Sequence, residues 1–239
     1  MTRKQIAFNF CLAGLAAVML TGCASTKVTN HQQFVTGKIA RPGTIWVYDF
    51  AATAADLPAA STLAGQPDLD TTPQTPEQIA EGKKLGSEIA ADLVAQINTL
   101  GMNAGLATAD TKPQVNDLIL RGYLLSVQEG SAAKRVAIGF GSGASELKTA
   151  VEGFQMTATG LRKLGSGTVE AGGSKTPGGA VGLAVFIATA NPVGLIVSTG
   201  TKVYGEASGK SEVTGRAKAT AQEIADVLKK RFQEQGWTN

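Results

Sequence analysis

Asp117-Leu118-Ile119-Leu120-Arg121-Gly122-Tyr123-Leu124-Leu125-Ser126-Val127-Gln128-Glu129 is apolar on both faces near its middle. A strand covered on one side only would alternate apolar and polar residues, so this run reads as a central strand. Downstream, residues 145–159 alternate as a half-buried strand should: Leu147, Thr149 and Val151 fall on one face, and Glu146, Lys148 and Glu152 on the other. The glycine-rich residues 161–173 are expected to supply a further hairpin arm. Upstream, residues 103–109 read as a short strand. Ile45-Trp46-Val47-Tyr48-Asp49-Phe50 is β-branched and aromatic, and reads as the first strand.

Two helices complete the pattern. Thr75 is placed to cap a helix, Pro76 fits its first position, and Gln78 completes a capping box. Ile79, Ile89, Leu93, Ile97 and Leu100 then share one stripe, with Gly82, Gly86 and Ala90 as small residues suited to close packing on a sheet. Gly101 is a natural stop. Residues 211–235 form the last helix, with Val213, Ala217, Ala221, Ile224, Leu228 and Arg231/Phe232 marking its face and Gly236-Trp237 ending it. This order predicts an α+β two-layer sandwich: a mostly antiparallel sheet with helices on one face, plus a Gly/Ala-rich apolar helical insertion. Residues 51–76, with four prolines, read as a long loop.

The amino terminus has a different character. Arg3 and Lys4 precede an uncharged apolar run from Ile6 to Leu20, too short for a comfortable membrane span. Leu20-Thr21-Gly22-Cys23 follows, which resembles the lipobox of bacterial lipoproteins. Small Thr21 and Gly22 let a peptidase approach the backbone, and the Cys23 thiol accepts a stable thioether to lipid. Several acyl chains anchor firmly where one binds marginally. The expected organisation is a signal peptide over residues 1–22, a lipidated tether over 23–42 and an envelope domain over 43–237. Ala24 and Ser25 follow the cysteine where an inner-membrane retention signal would have Asp. The resemblance therefore implies the periplasmic face of the outer membrane. His31, the single histidine, reads as a solvated residue of the tether.

No charge interrupts residues 176–201, and a glycine-rich insertion is expected over 176–205. Asn191-Pro192 breaks the run near its middle. Three readings stand: a hairpin of two short apolar helices against membrane or a second copy, a single kinked span, or a buried or partly disordered insertion within a soluble protein. Gly178, Gly182, Phe186, Pro192 and Gly194 are the candidate residues for membrane insertion or self-association through small-residue contacts.

Chemistry is sparse. The net charge of +3 falls to +1 once Arg3 and Lys4 are removed with an acid-free leader, which gives no support for nucleic-acid binding. Cys11 leaves with the leader and Cys23 takes lipid, so no disulfide is expected. Gly139-Phe140-Gly141-Ser142-Gly143-Ala144-Ser145 lacks the Lys of a phosphate loop and precedes a strand, so a hairpin connection is expected there. No His/Cys/Asp/Glu cluster has metal-ligand spacing. Serine nucleophiles lack a base other than His31. Asp117, Glu129, Glu146 and Glu152 are spaced as strand residues. The expectation is a protein that is not an enzyme and has no cofactor and no metal.

Residues 136–149, Val-Ala-Ile-Gly-Phe-Gly-Ser-Gly-Ala-Ser-Glu-Leu-Lys-Thr, resemble the motif of a bacterial lipoprotein family, domain of unknown function 4410. The order is similar too: a lipobox, the Val47–Phe50 strand, an Ala-rich helix, Leu120-Arg121-Gly122, a Gly/Ala-rich insertion and a final Gln235-Gly236-Trp237. The resemblance covers residues 40–237 and carries over no catalytic residue. The family has no assigned activity, and the expectation is a lipid-anchored accessory or binding subunit whose partner is an envelope protein or a second copy. The alternative is a protein that inserts or self-associates through residues 178–200.

Overall fold

The computed structural model describes residues 26–58, 61, 74–128, 146–172, 196–197 and 207–238. Strands β1 (Thr26–Gln33), β2 (Ile45–Tyr48), β3 (Ala104–Ala107), β4 (Leu118–Gln128), β5 (Glu146–Thr157), β6 (Gly160–Gly172) and β7 (Ile196–Val197) form one sheet, accompanied by helices α1 (Pro76–Thr99) and α2 (Ala207–Gln235). The sheet order is β1-β6-β5-β4-β2-β3, with β7 also on β4. The long pairs β1–β6, β6–β5 and β5–β4 are antiparallel. The shorter strands β2, β3 and β7 join in parallel. The fold is therefore the expected α+β sandwich, and the opening stretch of sequence is its central strand.

Alternation along β4 explains the layering. Leu118, Leu120 and Leu124 belong to the main core with residues of both helices. A bulge between Leu124 and Ser126 keeps Val127 in that core. From α1, Leu85, Ile89, Leu93 and Ile97 enter it, and from α2, Ala217, Ala221, Ile224 and Phe232. Tyr123 belongs instead to a small cluster with Ala51 and Ala150 on the opposite face.

Local signals set the helix ends. Thr75 accepts from the Gln78 amide, and the Gln78 side chain accepts from the Thr75 amide at 2.8 Å. Gly101 stops α1 with φ 78. At the end of α2, Gly236 (φ 77) donates to the Gln233 carbonyl and Trp237 donates to the Phe232 carbonyl. This is a Schellman motif, and its usual apolar contact is the Trp237–Phe232 ring pair, centroids 5.7 Å apart.

The tether reading of residues 23–42 requires correction. Thr26–Gln33 is an edge strand, paired from Thr26↔Ala171 to Gln33↔Gly165 with an irregularity between Thr29 and Gln32. It holds a single apolar residue, Val28, so it shows no hydrophobic pattern. Backbone hydrogen bonds to β6 suffice to hold it. Residues 26–33 thus belong to the sheet, and His31 lies on its edge strand. The uncharged stretch is corrected at one point: Ile196 and Val197 pair with Ser126 and Val127, so its end belongs to the sheet. The rest of that stretch, including Gly178, Gly182, Phe186, Pro192 and Gly194, lies outside the described residues, as do Leu20 to Cys23 and Gly139 to Ser145. Among the described residues no helix is long and apolar enough to cross a membrane.

Candidate functional site

Where α2 crosses the β1–β6–β5 part of the sheet, the sheet lacks side-chain volume. Gly153, Gly165 and Gly167 fall there, and an apolar groove of about 180 Å³ opens between helix and strands. Val28, Val151, Leu164, Val169, Ile224 and Leu228 supply much of its wall. Gly165 is required for a second reason: a Cβ there would lie 2.7 Å from the Gln32 carbonyl oxygen of β1.

The groove's rim is polar and tied down. Residues 34–41 form a strap from β1 towards β2. Gln235 of α2 accepts from the Ile39 amide at 2.8 Å and donates to the Gly37 carbonyl at 3.3 Å. Arg41 donates to the Trp237 carbonyl at 2.9 Å and to the Gly101 carbonyl at 3.0 Å, so one guanidinium serves the carboxyl ends of both helices. Arg231 Nη2 lies 3.3 Å from His31 Nε2. Burial lowers the His31 pKa, and the Arg231 charge lowers it further, against an opposing effect of Glu234. The folded state therefore favours the neutral ring. This contribution to stability is complete above the unfolded value of about 6.5 and is lost as pH falls through the lower folded value. Thermal melts between neutral pH and about pH 5 are expected to show a shallower pH dependence in His31→Gln than in the wild type. An unchanged slope would assign that dependence to other groups.

The opposite face carries a polar cluster. Glu152 is buried; its Oε2 accepts from the Tyr123 hydroxyl at 2.9 Å, and its Oε1 lies 2.5 Å from Lys163 Nζ. Burial raises the Tyr123 pKa well above the ordinary phenol value, and the Glu152 charge adds to this. Tyr123 is thus a fixed donor, and the pair is built to hold strands β4, β5 and β6 in register. Asp117 is equally committed: it accepts from the Thr44 amide (3.0 Å), Trp46 Nε1 (3.0 Å) and the Gln114 amide (2.8 Å). Among the described residues no three His, Cys, Asp or Glu side chains gather as a metal site.

The model of the family described as Domain of unknown function (DUF4410) matches residues 45–190. The chain belongs to this family. The DUF4410 match starts on the first residue of β2 and leaves out β1 and α2, which border the groove. Two similar solved structures are a PelC dodecamer from Paraburkholderia phytofirmans and its form with one leucine-to-methionine change. The first is 12% identical with a TM-score of 0.35, the second 15% identical with a TM-score of 0.34. Each alignment covers 71% of this DUF4410 chain and 98% of the PelC chain. A comparison with curated proteins finds no match.

The groove was not among the residues singled out from sequence. Its glycines were visible as a glycine-rich strand, but which face they share depends on the β5–β6 register.

Proposed function

We propose that this protein is a lipid-anchored envelope subunit, held by Cys23 at the periplasmic face of the outer membrane, that binds a partner without transforming it. One spacing carries the reading. Only Ala24 and Ser25 separate Cys23 from β1, and β1 borders the apolar groove. Three extended residues span about 10 Å. Lipid on Cys23 therefore holds the groove at the membrane surface, where an apolar segment of an envelope protein is the fitting occupant. A binding role is also supported by the carboxylates: Asp117 and Glu152 are taken up in structural hydrogen bonds.

Two experiments test this. Cys23→Ala is expected to abolish palmitate labelling and leave unprocessed precursor; continued labelling would refute the anchor. A photoreactive residue at Val227, which lines the groove, is expected to crosslink one envelope protein in intact cells. Gly153→Val should remove that adduct. A Cβ at Gly153 meets only the Leu120 side chain, at 3.6 Å, so the position has room for a first carbon, and a thermal melt like the wild type's confirms that the variant is folded. An adduct to a second copy of this chain would favour self-association, and an adduct that survives Gly153→Val would remove the groove from the account.

A further inference from the structure

We propose that Arg121 is the anchor of a second binding site, on the sheet face away from the helices, that takes a carboxylate-bearing ligand of amino-acid or dipeptide size. The starting point is a cross-strand pair that does not form. Arg121 and Glu152 are register partners in the β4–β5 ladder, where opposite charges ordinarily meet. Glu152 turns instead to Tyr123 and Lys163. Arg121 lies over two aromatic rings: its guanidinium carbon is 5.1 Å from the Tyr48 centroid and 5.8 Å from the Phe154 centroid. Among the described residues no carboxylate or other acceptor engages it. A half-buried guanidinium is thus held beside two rings, while its N–H groups meet no acceptor among the described residues. That arrangement suits a planar carboxylate, and little side-chain freedom is lost on binding.

The surroundings form a cavity. Arg121, Tyr48, Asp49, Asp56 and Thr108 line a depression of about 350 Å³. It lies at the carboxyl ends of β2 and β3. The neighbouring parallel strands β2 and β4 continue in opposite directions, β2 through α1 to β3 and β4 to β5. Such switch points open crevices at strand carboxyl ends in α/β sheets.

Two aspartates narrow the ligand. Asp56 is occupied, 3.5 Å from Lys83 Nζ and 2.8 Å from the Thr53 hydroxyl. Asp49 is exposed and has no partner among the described residues. A phosphate dianion would be repelled by both. A carboxylate beside an ammonium group satisfies Arg121 and Asp49 together, which favours a free amino acid or a short peptide.

The full-length lipidated protein in detergent micelles, titrated calorimetrically with alanylalanine, tests the assignment, with acetate and inorganic phosphate as comparators. Alanylalanine is expected to bind saturably. Arg121→Lys keeps the charge and loses the fork, and should weaken it about tenfold or more while the thermal melt moves by no more than the few degrees that altered ring contacts account for. Asp49→Asn should weaken alanylalanine and leave acetate unchanged. Absence of saturable binding, equal binding by wild type and Arg121→Lys, or phosphate binding tighter than the dipeptide would each overturn the proposal.

Discussion

Gly86→Ala is expected to destabilise the domain by about 2–3 kcal/mol or more, although alanine is the better helix former. A Cβ at position 86 of α1 would lie 2.1 Å from the Phe50 carbonyl oxygen. That oxygen is backbone and cannot rotate away. The Phe50 amide also donates to the Gly86 carbonyl at 3.3 Å, so helix and loop touch main chain to main chain. Separating them would withdraw the Phe50 ring from Gly122, where an added Cβ would overlap the ring at 2.1 Å. Phe50 is a wedge held between two glycines on two elements. Gly215 of α2 is the control: it is exposed, nothing lies within 4 Å of its Cβ position, and Gly215→Ala should stabilise by about 0.5–1 kcal/mol. Thermal melts decide the matter, since a domain of this size shifts by roughly 2–4 °C per kcal/mol. Equal small gains from both substitutions would show that α1 can move off the loop.

Asp117→Ala should have an effect of similar size, about 3 kcal/mol, by a different route. It deletes no core volume. It leaves the Thr44 amide, the Trp46 indole N–H and the Gln114 amide without their acceptor, in a site where Asp117 itself is buried. Hydrogen bonds to a charged acceptor contribute about 1.5–3 kcal/mol each, and three on one carboxylate do not add independently. The carboxylate joins the start of β2 to the turn before β4, where Asn116 adopts φ 77. Asp117→Asn retains one acceptor oxygen and should recover part of the loss. Denaturant unfolding measured at neutral pH checks both variants; an alanine variant as stable as the wild type would make the three hydrogen bonds incidental.

The elements that local chemistry specifies were legible in the sequence. The α1 capping box, the glycine stops and the apolar stripe of Ile89, Leu93 and Ile97 reappear where expected, because each depends on neighbours within a few residues. The central position of β4 was legible from apolar residues on both faces. Strand β1 was not, because an edge strand is held through its backbone and Val28 is its single apolar residue. The parallel placement of β2 and β3 beside β4 is a long-range pairing that periodicity does not encode. The sites were less visible still. Arg121 stands within the stretch that decides the fold, yet its availability follows from where Glu152 points, and that depends on Lys163 of a third strand. The groove depends on glycines from β5 and β6 falling on one face beneath α2. Cys23 and its neighbours were read from a local motif, and their role rests on labelling.

The edge strands β1 and β3 have a consequence for the chain at high concentration. Strand β3 is four residues long, and β1 is interrupted between Thr29 and Gln32. Neither presents a long, flat row of unpaired backbone groups. Lateral recruitment of one molecule's sheet by the next, the first step towards fibrous aggregation, is therefore opposed at β1 and at β3. The irregular β1 thus opposes polymerisation wherever the chain is locally concentrated.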